Sequence, residues 1–270
     1  MIKTCIFADE VSRDFEEAVK LCKSVGASHI EIRGGIWGKD VTTANDDDVK
    51  RMQDVLNKYD MKIGCIGSPF GKCSFDKEEY ERHLKIFERM IQLAHTFDTK
   101  IIRMFAFWVP KELRSTPRHE LKINDFIGEI APRLKPAAKL AEKEDVIMAL
   151  ETEDSTLVGS CAEAKAVIDA VESPAMKVCW DVNNSWQCRE IPYPDGYSHI
   201  KGLVVHVHVK PNAQKNIDTV GNSSVSYEQI LRVLINDGFD DCASIEHWGS
   251  PEFMLKGVNE LNNVLKKIYG

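Results

Sequence analysis

No stretch of this chain stays apolar for the roughly 18–20 residues that a membrane-spanning helix needs. The opening MIKTCIFADEVS also turns acidic too early for a secretory signal, so a soluble, cytoplasmic protein with no membrane partner is expected. Basic charge is short as well: 35 Lys and Arg stand against 42 Asp and Glu, for a net charge of −7, and nowhere form a sustained stripe. Nucleic acid is therefore not an expected partner. Eight cysteines are present, but no two are spaced as CxxC, which excludes a zinc ribbon. Cys5, Cys65 and Cys179 fall inside predicted strands and Cys242 begins one, where a reduced thiol packs as a small hydrophobe. GxGxxG is missing after the first strand and GxxxxGK[ST] is missing throughout, which removes the usual dinucleotide and nucleotide loops.

What is present is alternation. KTCIFA is followed by the helical DFEEAVKLCKSVG, and the same change of period recurs along the chain. Predicted strands follow at 28–33, 61–67, 100–105, 146–151, 176–181, 203–209 and 242–246. Eight β/α units without a Gly/Ser linker, in a chain near the roughly 250 residues usual for the fold, predict one (β/α)8 TIM barrel over residues 1–270. Ser12, Asp46, Asp76 and Ser226 are the expected helix N-caps, and Gly26 the residue that ends the first helix. Pro132 and Pro136 predict a kink or restart in the fourth helix. Residues 182–201, with Trp186, Pro192, Pro194 and Gly196, read as mostly loop, a candidate lid.

Four residues able to bind a metal end apolar runs: Glu151 in MALE, Asp181 in KVCWD, His208 in LVVHVH and Glu246 in ASIE. They are separated by 30, 27 and 38 residues, each near one β/α unit, so consecutive strands would deliver one ligand apiece to the same mouth. Three carboxylates and an imidazole suit one hard divalent ion, Mn²⁺, Mg²⁺ or Co²⁺, with Zn²⁺ admitted. His206 and His208 share a face at i, i+2; His208 is taken as the ligand because it lies nearer the strand end, leaving His206 one layer deeper.

These pieces resemble the xylose isomerase-like TIM-barrel superfamily of sugar isomerases and epimerases, which also contains endonuclease IV. The resemblance covers essentially the whole chain and is carried by ALE ending at Glu151, WDVNN from Trp180, HVK with His208 and Lys210, and SIEH with Glu246. ADE ending at Glu10, EIRG with Arg33, and GSPFGK ending at Lys72 add to it. By that resemblance Glu151 and Glu246 both bind the metal and exchange protons beside a carbonyl, while Asp181 and His208 complete the metal sphere. General chemistry agrees, since a cation that polarises the carbonyl lets a carboxylate remove the adjacent proton. The chain departs from the family pattern at Asn184, where a second histidine commonly stands, and at Pro211, where many relatives carry an acid.

Substrate-facing candidates are Glu10, Arg33, Lys72, Arg103, Asn184 and Lys210, whose charges and amide suit carbohydrate oxygens, a carboxylate or a phosphate. Trp108, with Trp186 and Trp248, is the expected apolar wall against a sugar face, whereas Phe105 and Phe107 read as core. Glu10 is alternatively a salt-bridge partner of Arg33. The expected function is a metal-dependent isomerase or epimerase acting on a sugar, sugar phosphate or keto-polyol through an enediolate. A lyase or dehydratase acting on a keto-sugar or keto-glycoside is the alternative. An endonuclease IV-like enzyme would need many more histidines than 8 and a basic face. A non-catalytic sugar-binding barrel subunit is the reading from a different class. A homo-oligomer is expected only by analogy with such barrels.

Overall fold

A computed structural model describes residues 1–270. The strands are β1 (Lys3–Ile6), β2 (His29–Ile32), β3 (Lys62–Gly67), β4 (Ile101–Met104), β5 (Ile147–Glu151), β6 (Met176–Asp181), β7 (Val204–Val209) and β8 (Cys242–Ile245). All pair in parallel, in the order β1-β8-β7-β6-β5-β4-β3-β2. An isolated parallel bridge from Phe7 to Glu31 joins the two end strands, so the sheet curls into a nearly closed (β/α)8 TIM barrel. Each expected strand is present, with ends within two residues of the expected ones.

The helices between strands are α1 (Phe15–Ser24), α2 (Asp46–Tyr59), α3 (Lys77–Thr96), α4 (Ile127–Lys143), α5 (Cys161–Val171), α6 (Val182–Gln187), α7 (Tyr197–Ile200) and α8 (Tyr227–Asn236), with α9 (Pro251–Tyr269) after the last strand. Their buried stripes follow from sequence spacing. α1 buries Phe15, Ala18, Val19 and Cys22, and α8 buries Tyr227, Ile230, Leu231 and Leu234, both at the i, i+3, i+4, i+7 positions of one helical face. Asp76 and Ser226 cap α3 and α8 as expected, and Gly26 at φ +85° follows α1. Two caps are shifted. Asp14 caps α1, with Ser12 bonded to the Asp14 backbone, and Asn45 rather than Asp46 caps α2 through a reciprocal capping box with Asp48.

Two expectations about the second half are corrected. α4 runs unbroken through Pro132 and Pro136. Both prolines lie four apart on the exposed face while Ile130, Leu134, Ala137 and Ala141 face the core, so the carbonyls they leave unbonded meet water. Residues 182–201 are mostly helical, not loop: Asp181 caps α6 by accepting from the Asn184 amide, and Pro192–Gly196, kinked at the extended Tyr193, leads into α7. Tyr197 of α7 stacks on Trp180 at 5.6 Å and donates to Asp237, which anchors this connection to the barrel wall instead of folding it over the mouth as a lid.

Two register shifts aim the interior side chains. Between β2 and β3 the pairing passes over Gly64, setting Glu31 level with Cys65. Between β6 and β7 it passes over Val205, setting His206 level with Cys179 and His208 level with Asp181. All eight cysteines are free and all but the half-buried Cys188 are buried, including the four expected to pack as reduced thiols in strands, Cys5, Cys65, Cys179 and Cys242. No helix is long and apolar enough to cross a membrane.

Candidate functional site

Glu151 and Asp181 end strands β5 and β6, His208 is the last but one residue of β7, and Glu246 follows β8 by one residue, so the barrel brings all four to its C-terminal mouth. His208 Nδ1 lies 3.4 Å from Glu151 Oε1, 3.9 Å from Asp181 Oδ2 and 3.3 Å from Glu246 Oε2. One ligand atom from each of the four lies within 4.8 Å of all the others, and each residue is buried. Asp181 Oδ2, His208 Nδ1 and Glu246 Oε2 are buried without a well-aligned hydrogen bond, and the Lys210 ammonium is the cation beside the two carboxylate oxygens. Three buried carboxylates and an imidazole converging on one point carry more negative charge than the single Lys210 ammonium beside them offsets, so their donor set fits the hard divalent ion expected from their chemistry.

Cations lie close behind the acids. Arg103 Nη1 donates to Glu151 Oε2 at 2.9 Å, and Lys210 Nζ lies 2.5 Å from Asp181 Oδ2 and 3.4 Å from Glu246 Oε2. Arg33 Nη1 is 3.5 Å from Glu246 Oε1. Burial pushes Asp181 up to about 6 against the pull of Lys210. Burial also works against charge on Glu151 and Glu246, but Arg103 and His208 hold the first below its ordinary value and His208 and Lys210 hold the second well below. Burial opposes the charged forms of Lys210 and Arg103 too, yet their carboxylate partners, Asp181 and Glu151 first, raise both.

The substrate-facing candidates are placed as follows. Arg33, Lys72, Arg103, Phe105, Glu153 and Glu246 line a cavity of about 270 Å³, together with His247. Glu10 accepts from Arg33 at 3.1 Å and from the His247 amide at 2.8 Å, which is the salt-bridged alternative for that residue. Lys72 is paired with Glu153 at 3.1 Å and sits over the Phe105 ring. Lys210 and Asn184 line an adjoining cavity of about 390 Å³ with Glu153 and Asp154. Asn184 is less available than its sequence position suggested: its amide nitrogen donates to Thr152 O at 3.1 Å and its oxygen accepts from Lys210 at 3.0 Å. It holds the lysine.

The aromatic wall is largely corrected. Trp248 is fully buried, with its indole nitrogen donating to Val209 O at 3.0 Å, because Gly257 admits it against α9. Trp186 packs on Gly221. Trp108 is half-buried and lines a different cavity of about 630 Å³ with Leu113, Arg114, Arg118, Leu121 and Asp154. Phe105 and Phe107 are buried, as expected of core residues, although Phe105 also carries the cations of the mouth on its face.

Sequence reasoning missed Glu31 and Glu153. Glu31 is fully buried inside the barrel, with Oε2 2.8 Å from His206 Nε2 and 3.2 Å from His208 Nε2. Its burial opposes ionisation, but the two imidazoles hold it far below the usual carboxylate range. The clue was a charged residue in the apolar run HIEI, two before Arg33 and so on the same face. Glu153 stands two after Glu151, and despite burial the Lys72 ammonium and Ser155 hold it at about 2.

A parallel eight-stranded barrel with an acid–histidine cluster at its C-terminal mouth defines a TIM barrel built around a candidate metal site. The sequence matches the xylose isomerase-like TIM barrel family over residues 19–268, and the chain belongs to that family. Among curated proteins, no sequence matches the chain. Similar solved structures include a D-tagatose 3-epimerase-like protein, with TM-score 0.79, 13% identity, and coverage of 99% of this chain and 98% of that one. A xylose isomerase-like TIM barrel protein from Mycobacterium smegmatis in complex with magnesium has TM-score 0.75 and 18% identity, covering 100% of this chain and 97% of that one. A probable 3-DHS dehydratase from Bacillus anthracis has TM-score 0.74 and 18% identity, covering 97% of this chain and 99% of that one.

Proposed function

We propose that this protein is a divalent-metal-dependent isomerase or epimerase that moves a proton next to the carbonyl of a sugar, sugar phosphate or keto-polyol. The observation that carries this reading is the convergence of Glu151, Asp181, His208 and Glu246, all buried, with one donor atom from each within 4.8 Å of the others. These four residues would hold the ion. When bound, it would supply Lewis-acid polarisation of the substrate carbonyl.

The chain supplies the proton transfers. Glu246 lines the 270 Å³ cavity, where a substrate carbon would meet its carboxylate, and the charges of His208 and Lys210 hold it in the ionised form that a general base needs. Glu151 comes from β5, three strands away from β8, which suits it to act from the opposite side. One carboxylate takes the proton from the carbon beside the carbonyl, leaving an enediolate, and the other returns a proton. Return to the opposite face inverts the centre, and return to the neighbouring carbon interconverts aldose and ketose. Arg33, Lys72 and Arg103 offer donors to substrate oxygens from one wall, and Lys210 from the other.

The test is exchange of a substrate C–H with solvent deuterium in a panel of ketoses, ketose phosphates and keto-polyols with Mn²⁺ present. Wild type is expected to incorporate deuterium, and Glu151→Gln and Glu246→Gln are each expected to lose about 10²–10⁴-fold in exchange rate. Full exchange in both variants sinks the proton-transfer assignment. The dehydratase among the structural neighbours favours elimination as the second reading, which the same residues would serve. Loss of water or an aglycone from the product mass separates it from isomerisation.

A further inference from the structure

We propose that Glu31 is a positioning residue for the metal site: it holds the His208 ring with Nε2 protonated, so that the Nδ1 lone pair is presented to the ion. The proposal rests on the metal reading above and extends it to a residue on the far side of the barrel.

Glu31 reaches His206 and His208 across the interior, from a strand separated from β7 by β1 and β8. A carboxylate can only accept hydrogen bonds, so both Nε2 atoms facing Oε2 act as donors. A neutral imidazole that donates from Nε2 has its lone pair on Nδ1. In His208 that atom is the one turned toward Glu151, Asp181 and Glu246, 3.4, 3.9 and 3.3 Å from one oxygen of each. A carboxylate behind a ligating imidazole fixes the tautomer and raises the basicity of the coordinating nitrogen.

The surroundings fix the carboxylate in turn. The register shift over Gly64 and the bridge to Phe7 place Glu31 at the seam where the barrel closes. His206 shares Oε2 and stands perpendicular to His208, with ring centres 5.4 Å apart. Phe7 meets the His208 ring edge-on at 5.3 Å, which limits its rotation. Glu31, His206 and His208 also satisfy the spacing of a metal triad. Their short direct contacts and complete burial favour hydrogen bonds over a second ion, because an ion there would have to displace the hydrogens on both Nε2 atoms.

The test uses the full chain with Mn²⁺ alone, comparing wild type, Glu31→Gln and Glu31→Leu. Affinity and stoichiometry are read by electron paramagnetic resonance, and the Mn–His208 contact by the hyperfine coupling of ¹⁵N-labelled histidine. Expected are one Mn²⁺ per chain in wild type, about 10–100-fold weaker binding in the variants, and a weakened nitrogen coupling. Glu31→Gln keeps the shape and decides the matter if Glu31→Leu fails to fold. A purely structural role would lower thermal stability yet leave affinity and coupling in the folded protein unchanged, and that result overturns the proposal. Two ions per chain, one of them lost in the variants, overturns it in favour of a second metal site. A wild type that binds no Mn²⁺ overturns the metal reading itself, whereas normal wild-type binding with unchanged variants overturns only the role of Glu31.

Discussion

Glu151, Asp181 and Glu246 crowd around His208 at the mouth of the barrel, while two residues earlier on the same strands stand Ala149, Cys179 and Ser244. Because strand side chains repeat with period two, these are adjacent layers of one interior, built from opposite materials. The upper layer is ionised and backed by Arg103 and Lys210. The lower is built of small residues, and that smallness leaves room for the one ionised group set among them, Glu31 bonded to His206. The upper layer carries charges that cost stability in a dry interior, and the lower one supplies close packing beneath them.

The strongest way to break this contrast is to show that a residue of the mouth also supports the fold. Lys210 is such a residue, since it is the cation nearest to buried Asp181 and reaches Glu246 as well. Lys210→Met keeps the length of the side chain but removes its charge. In the metal-free protein this should cost about 3–5 kcal/mol, the penalty of leaving a buried charge unpaired. Added Mn²⁺ should recover more stability in the variant than in wild type, because the ion takes over neutralisation of the acids. Equal metal-free denaturation midpoints in urea would show that Lys210 serves the mouth alone.

The complementary change belongs to the floor. A Cβ on Gly64 would sit 2.6 Å from Cys242 Sγ and 3.3 Å from Cys5 Sγ, inside the packed lower part of the barrel. Gly64→Ala should therefore destabilise by about 1–3 kcal/mol through overpacking. Mn²⁺ affinity in the folded protein should stay at the wild-type level. A marked fall in affinity would show that the two layers are mechanically coupled through the neighbouring Glu31 register shift.

The division between layers also explains what was legible in the sequence. Period-two and period-3.6 patterns exposed all eight strands and most helices, and apolar runs ending in an acid or histidine located the four mouth residues. Glu31 escaped because it lies inside its strand, not at the end, and its partners stand 175 and 177 residues away. Nothing local distinguishes it from a surface glutamate except the apolar residues on either side. The two prolines of α4 misled for the opposite reason: their local rule is sound, but an exposed helix face lets water satisfy the carbonyls they free. Trp248 was assigned to substrate by position, and a tertiary contact engages it elsewhere, whereas Asn184 lines the second cavity with its amide already bonded to Thr152 and Lys210.

The smallest expected effect compares imidazoles at the two ends. In the metal-free chain His208, at the mouth, is buried against its charged form, yet Cys179, Glu246, Glu31 and Glu151 raise it well above its ordinary value. His29 begins β2 at the opposite end, where burial, aided by the nearby Lys3 and Lys62 charges, lowers it from 6.5 to about 4. For His29 the folded state resists a proton that the unfolded chain accepts below its ordinary pKa. Its contribution to stability is therefore intact above pH 6.5 and declines as pH falls from there toward about 4. His29→Asn should flatten the decline in urea midpoint across that window while leaving the midpoint near pH 7 almost unchanged. The partial exposure of His29 keeps this effect well below that of Lys210→Met. Parallel pH profiles for the two proteins would place the acid sensitivity elsewhere, with the carboxylates of the mouth as the next groups to test.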